Sequence, residues 1–134
     1  MTRKPVIAAH LSLAGLIAVV VAGMPASALA ADAAKEAATS GVHASLAAKA
    51  ATIEQVHMHL HHAVNCLVGA KGQGFDAKEA NPCQSLGDGA IPDTTDAATK
   101  AKLNAALAHA QAGLKSNDLT AAQKAAADTA AAVQ

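Results

Sequence analysis

Residues 57 to 66 read HMHLHHAVNC, which puts four of the chain's seven histidines and one of its two cysteines in a single short stretch. A neutral imidazole donates a lone pair to Zn²⁺, Cu²⁺ or Ni²⁺, and a cysteine beside a histidine can become a nucleophile. A third reading is a solvated helix face with no ligand role. If a helix carries the stretch, at about 100° per residue, His57 and His61 flank the apolar face and can point at one ion. His59 and His62 then share the opposite side with Cys66. A loop carboxylate, Asp76 or Glu79, could join that second pair. Met58 lies between the pairs, and its thioether suits Cu(I). The candidate ligands are therefore His57, His61, His59, His62 and Met58, for Cu, Ni or Zn. His43 and His109 have no histidine three or four residues away and read as surface residues.

What the cysteine does depends on the compartment. Arg3 and Lys4 precede an apolar run, Pro25 ends it, and Ala28-Leu29-Ala30 supplies the small residues a signal peptidase reads. Residues 1–30 are expected to be a signal peptide cut after Ala30. The competing reading is an uncleaved membrane anchor, because the apolar run is nearly long enough to span a bilayer. No cysteine near the cut suggests a lipid anchor. The expected location is periplasmic or secreted, with no stable membrane anchor after cleavage. In an oxidising compartment, two cysteines read as a disulfide. A Cys66–Cys83 bond would close a loop of 83 − 66 = 17 residues, worth roughly 3 kcal/mol. It would take both thiolates off the ligand set and argue against a reactive cysteine.

No C-x-x-C, C-x-x-C-H, phosphate-loop or G-x-S-x-G pattern is present. No catalytic residue is assigned, and a non-enzymatic role is expected. A haem-b site with a histidine and Met58 as axial ligands is disfavoured by the scarcity of aromatic and large apolar residues.

The elements that would position these residues are helical. Leu46, Ala50, Ile53, Val56, Leu60, Val64 and Leu67 recur at spacings of three and four, which predicts a helix over about 43–68 ending at Gly69. Residues 31–40 could be helical or frayed, with Gly41 interrupting and Ser40 as a cap. Residues 69–94 carry five glycines and two prolines, which predicts one long loop pinned by Cys83. Pro92 to Thr95 is a plausible next helix start, with Asp96 in the first turn. Leu103, Leu107, Ala110 and Leu114 form its stripe to about Lys115. Asn117 or Asp118 caps a last helix from Leu119 to about Ala132, burying Leu119, Ala122, Ala126 and Val133. The expected fold is all-α: a small up-and-down bundle of three to four helices with one long disulfide-pinned loop, in a single domain over 31–134.

Composition sharpens this. Residues 31–134 hold 31 alanines and 17 residues of the Leu, Ile, Val, Met and Phe types. Alanine favours helices but buries little area, so helices must approach closely and the core stays thin. The same residues carry 8 basic and 10 acidic side chains, net 8 − 10 = −2. With no Arg, Trp or Tyr among them, that is no footprint for nucleic acid. The stretch ALAHAQAGLKSNDLTAAQKAA, residues 106–126, resembles the repeat unit of small periplasmic metal-binding proteins that are histidine-rich four-helix bundles. The resemblance implies metal binding and carries over His109 alone, the one histidine of the later helices, whereas those proteins have many more histidines per repeat. Two functions compete: an exported buffer or carrier of a transition metal, and a non-catalytic envelope protein whose pinned loop meets a protein partner.

Overall fold

The computed structural model describes residues 31–134 and is all-helical, with no strand among them. The expected export signal over residues 1–30 lies outside the described residues. Five helices follow in order: α1 (Ala33–Ala48), α2 (Ile53–Val68), a four-residue α3 (Ala90–Asp93), α4 (Ala97–Lys115) and α5 (Leu119–Ala132). Four acquire their starts from side chains that accept an otherwise orphaned backbone N–H. Asp32 accepts from Lys35, Thr52 from Gln55, Asp96 from Thr99 and Asp118 from Ala121.

Three boundaries differ from the periodicity. The single helix expected over about 43–68 is two. The chain breaks at 49–52, where Thr52 is extended (φ −131°, ψ 155°) and caps α2. Gln55 Oε1 accepts from Ala51 N at 3.2 Å, and Gln123 Nε2 from α5 donates to the freed Ala50 carbonyl at 2.8 Å. T-x-x-Q is a capping box, and the continuous apolar spacing across it masked the stop. Second, Gly41 does not interrupt: α1 runs through it, and Ser40 caps nothing. Third, Asp96 is the N-cap of α4 rather than a first-turn residue, and Pro92-Asp93 belongs to α3.

α1 packs on α2 and α5, and α4 on α2 and α5. Register contacts give the directions. His57 meets Ser116 while a Cβ on Gly113 would touch Leu60, so α4 runs opposite to α2. Gln123 meets Ala50 while Gly41 lies under Val133, so α5 runs opposite to α1. Leu60, Leu67, Leu103, Val56 and Val64 fill the centre, each at most 2 % exposed, among buried Ala37, Ala47, Ala106, Ala110, Ala122 and Ala126. Full burial of each large side chain contributes about 1.5–3 kcal/mol. Ala44, Ala63 and Ala130 form a second contact of small residues. That contact draws α1 close to α2, which decides the reach of the side chains beside it. No helix among the described residues is long and apolar enough to cross a membrane.

Cys66 and Cys83 are disulfide-bonded, with Cα atoms 5.2 Å apart. The loop they close is anchored a second time. Asn65, fully buried, donates through Nδ2 to the Asp76 and Ala80 carbonyls at 3.0 and 3.1 Å, and its Oδ1 accepts from Asp76 N at 2.9 Å. Further on, Gly69 (φ 66°) and Gly89 (φ 116°) cross backbone to backbone. A Cβ on Gly69 would overlap the Asp88 carbonyl, so glycine is required there by conformation and by space.

Candidate metal centre

His43, His59 and His62 converge. One ligand nitrogen from each lies within 4.8 Å of the other two, and this is the group of three or more metal-competent side chains among the described residues. The rings stand 5.0 Å apart for His43 and His62, 5.8 Å for His43 and His59, and 5.9 Å for His59 and His62. The Nδ1 atom of each is buried and has no hydrogen-bond partner in the protein.

Local structure explains the convergence. His59 and His62 sit three residues apart on α2, hence on one side of it. His43 comes from α1, three residues after Ser40 and beside Ala44. The Ser40 hydroxyl donates to the Ala63 carbonyl at 3.1 Å, fixing the register of α1 against α2 three residues from His43 and one from His62. Ala44 and Ala63 are fully buried, so nothing larger than a methyl separates the helices. The imidazoles can therefore meet across the seam.

Electrostatics favour the ligand form. Burial lowers the His43 pKa below the ordinary imidazole value, and the neighbouring His62 and then His59 lower it further. Burial, then His62, lowers that of His59. Both effects disfavour an imidazolium, because a positive ring would be poorly solvated and would face other rings competing for the same proton. A neutral imidazole is what a metal requires. The cluster can hold a metal ion.

The other sequence candidates go elsewhere. His57 Nε2 lies 2.9 Å from the Ser116 carbonyl, where it ties α2 to the end of α4. His61 Nδ1 lies 3.5 Å from Asp76 Oδ2. Met58 is exposed, at 37 %. The structure thus brings His59 and His62 together with His43, while His57 contacts Ser116 and His61 approaches Asp76. His43 is not the isolated surface residue its sequence neighbours imply. Its partners lie across a helix break, and only the phase of α1, with Glu36, Ala37, Ser40, Ala44 and Ala47 buried, could have pointed it toward α2. Both cysteines are disulfide-bonded and there is no free thiol.

A second titratable group is buried at the other end of α1. Glu36 is fully buried, and its Oε1 accepts from Gly89 N at 3.0 Å. Burial pushes its pKa up to about 7; the Gly89 N–H opposes this, and the Asp93 carboxyl beside it adds to the rise. Comparison of the chain with protein-family models, with curated proteins and with solved structures finds no match.

Proposed function

We propose that the protein is an exported, non-catalytic binder of a divalent transition metal, which it buffers or carries outside the cytoplasm. The observation that carries the reading is the trio His43, His59 and His62, from two helices, within ligand distance of one another. Three imidazoles with no thiolate are a borderline donor set. They suit Cu²⁺, Zn²⁺ and Ni²⁺, with Cu²⁺ bound most tightly at equal availability. A disulfide across Cys66 and Cys83 fits an oxidising compartment such as the periplasm, as does the signal-like sequence of residues 1–30.

Equilibrium dialysis of the protein against each ion, with elemental analysis, tests this. The expected result is one ion per chain. Changing His43, His59 or His62 singly to Ala should weaken binding by more than the ~10–100-fold typical of outer-shell changes. The double change of His57 and His61 to Ala should leave it nearly intact. No uptake of any of the three ions would sink the reading and favour an envelope protein whose pinned loop meets a partner.

A further inference from the structure

We infer that Glu79 is a positioning residue for the metal centre: from the disulfide-closed loop it holds the Nε2 edge of His62 and leaves Nδ1 as that residue's ligand atom. Its effect on affinity rests on the metal-binding reading; its effect on the ring does not.

Glu79 Oε2 lies 3.5 Å from His62 Nε2, with the His62 side chain 13 % and the Glu79 side chain 34 % exposed. Glu79 is not one of the convergent ligands, so its carboxylate addresses the ring from outside the trio. A neutral imidazole carries one proton and one lone pair. A carboxylate at Nε2 selects the tautomer with the proton on Nε2, because an oxyanion facing a lone pair is repelled. The lone pair is then on Nδ1, which is the buried, unpartnered nitrogen of His62. A carboxylate beside the far nitrogen of a ligating histidine orients the ring and raises its basicity.

The loop is built to deliver this one group. Glu79 stands four residues before Cys83, which is bonded to Cys66, one turn beyond His62 on α2. On either side of Glu79, Asn65 clamps the backbone at Asp76 and Ala80 with three hydrogen bonds. Glu79 N also donates to the Asp76 carbonyl at 3.3 Å. Glu79 is therefore held on both sides by attachments to α2 itself, the helix that carries His59 and His62. Asp76 makes the corresponding approach to His61, which is outside the trio, and so provides an internal control from the same loop.

The test has two arms. Long-range ¹H–¹⁵N correlation spectra of the metal-free protein at pH 8 report which nitrogen of His62 is protonated. The wild type is expected to show the Nε2–H form, Glu79→Ala a shift toward a mixture, and Glu79→Gln, whose amide oxygen can still accept, a restored Nε2–H form. In the second arm, Zn²⁺ affinity is measured by competition with a chelator. Glu79→Ala should lose at least about tenfold, Glu79→Gln less, and Asp76→Ala nothing. A His62 ring protonated on Nδ1 in the wild type, or Glu79→Ala and Asp76→Ala weakening Zn²⁺ equally, would overturn the inference. A wild type that takes up no Zn²⁺ but shows the Glu79-dependent Nε2–H form would sink the metal reading and leave the positioning of the ring standing.

Discussion

His43 of α1 and His62 of α2 meet edge to face, with ring centroids 5.0 Å apart and planes at 89°. An ion held by this pair and His59 would join two helices that no covalent bond connects beyond the chain itself. Zn²⁺ should therefore raise the melting temperature, since it binds the folded trio and not the separated residues. At a free ion concentration of 100 times Kd the gain is about 2.7 kcal/mol. Calorimetric scans with and without Zn²⁺ should show the rise in the wild type and its absence in His43→Ala.

Acid should loosen the same seam in the metal-free protein. The His43 and His59 pKa values lie below the ordinary 6.5 in the folded state, through burial and neighbouring imidazoles. The unfolded chain therefore binds protons that the folded one refuses. This contribution is fully present above about pH 6.5 and is lost as pH falls through the folded values. Thermal melts from pH 8 down to pH 5 should show that fall flattened in the double variant His43→Gln, His59→Gln.

Glu36 gives the opposite slope. Its folded pKa, pushed up to about 7 from an ordinary 4.5, means that the folded protein keeps a proton the unfolded chain releases. Its contribution is most favourable below pH 4.5 and declines as pH rises to about 7. Above that the cost is constant, on the order of 3 kcal/mol for a shift of this size. Glu36→Gln mimics the protonated acid and can still accept from Gly89 N. It should be more stable than the wild type at pH 8, and the difference should vanish near pH 4. Urea midpoints at the two pH values decide this; equal stability at pH 8 would contradict it.

Removing the disulfide should cost stability but not helix. A 17-residue loop corresponds to roughly 3 kcal/mol. The double variant Cys66→Ser, Cys83→Ser should melt lower while keeping nearly all its far-ultraviolet circular dichroism, because the bond pins the loop and the end of α2 only. Loss of most helical signal at 20 °C would show that the loop supports the whole bundle.

Two helical glycines should respond in opposite directions to Ala. At Gly113 a Cβ would lie 2.6 Å from Leu60 Cδ1 and 3.2 Å from Ala125 Cβ, in the packed centre between α2, α4 and α5. Overpacking there should cost about 1–3 kcal/mol. At Gly41 the obstacle is Val133 Cγ2 at 2.8 Å, a half-buried side chain next to the chain end that can turn aside. The helix-propensity gain of ~1 kcal/mol should make Gly41→Ala neutral or stabilising. Chemical denaturation of both variants checks the pair.

The helical character and the convergence of His59 and His62 could be read from spacing, because both are local, and the Cys66–Cys83 bond from there being only two cysteines in a chain with a signal-like start. The break at Thr52 was also written, as T-x-x-Q, but an apolar stripe running through it outweighed it. Nothing in the sequence marks Glu36 and Asn65 as buried, because burial of a polar side chain depends on partners from the loop, Gly89 and Asp76, that no periodicity shows. His43 was missed for a related reason. Its role follows from how closely two alanine faces approach, which is a property of the packed pair and not of either helix.

The placement of the disulfide also sets how the molecule would bear load. α1 and α5 lie side by side in opposite directions, with Gly41 under Val133, so the two ends of the described chain emerge at one end of the bundle. Tension between them would peel α1 and α5 apart a turn at a time, rather than shear them along their length. α1 lies outside the ring closed by Cys66–Cys83, so the bond offers no resistance to its detachment. The ring itself would keep about 60 Å of chain from paying out, at up to ~3.6 Å per residue. The imidazole cluster lies on the neighbouring seam between α1 and α2, beyond the first turns of α1, where an ion joining His43 to α2 would hold α1 after its contact with α5 is lost.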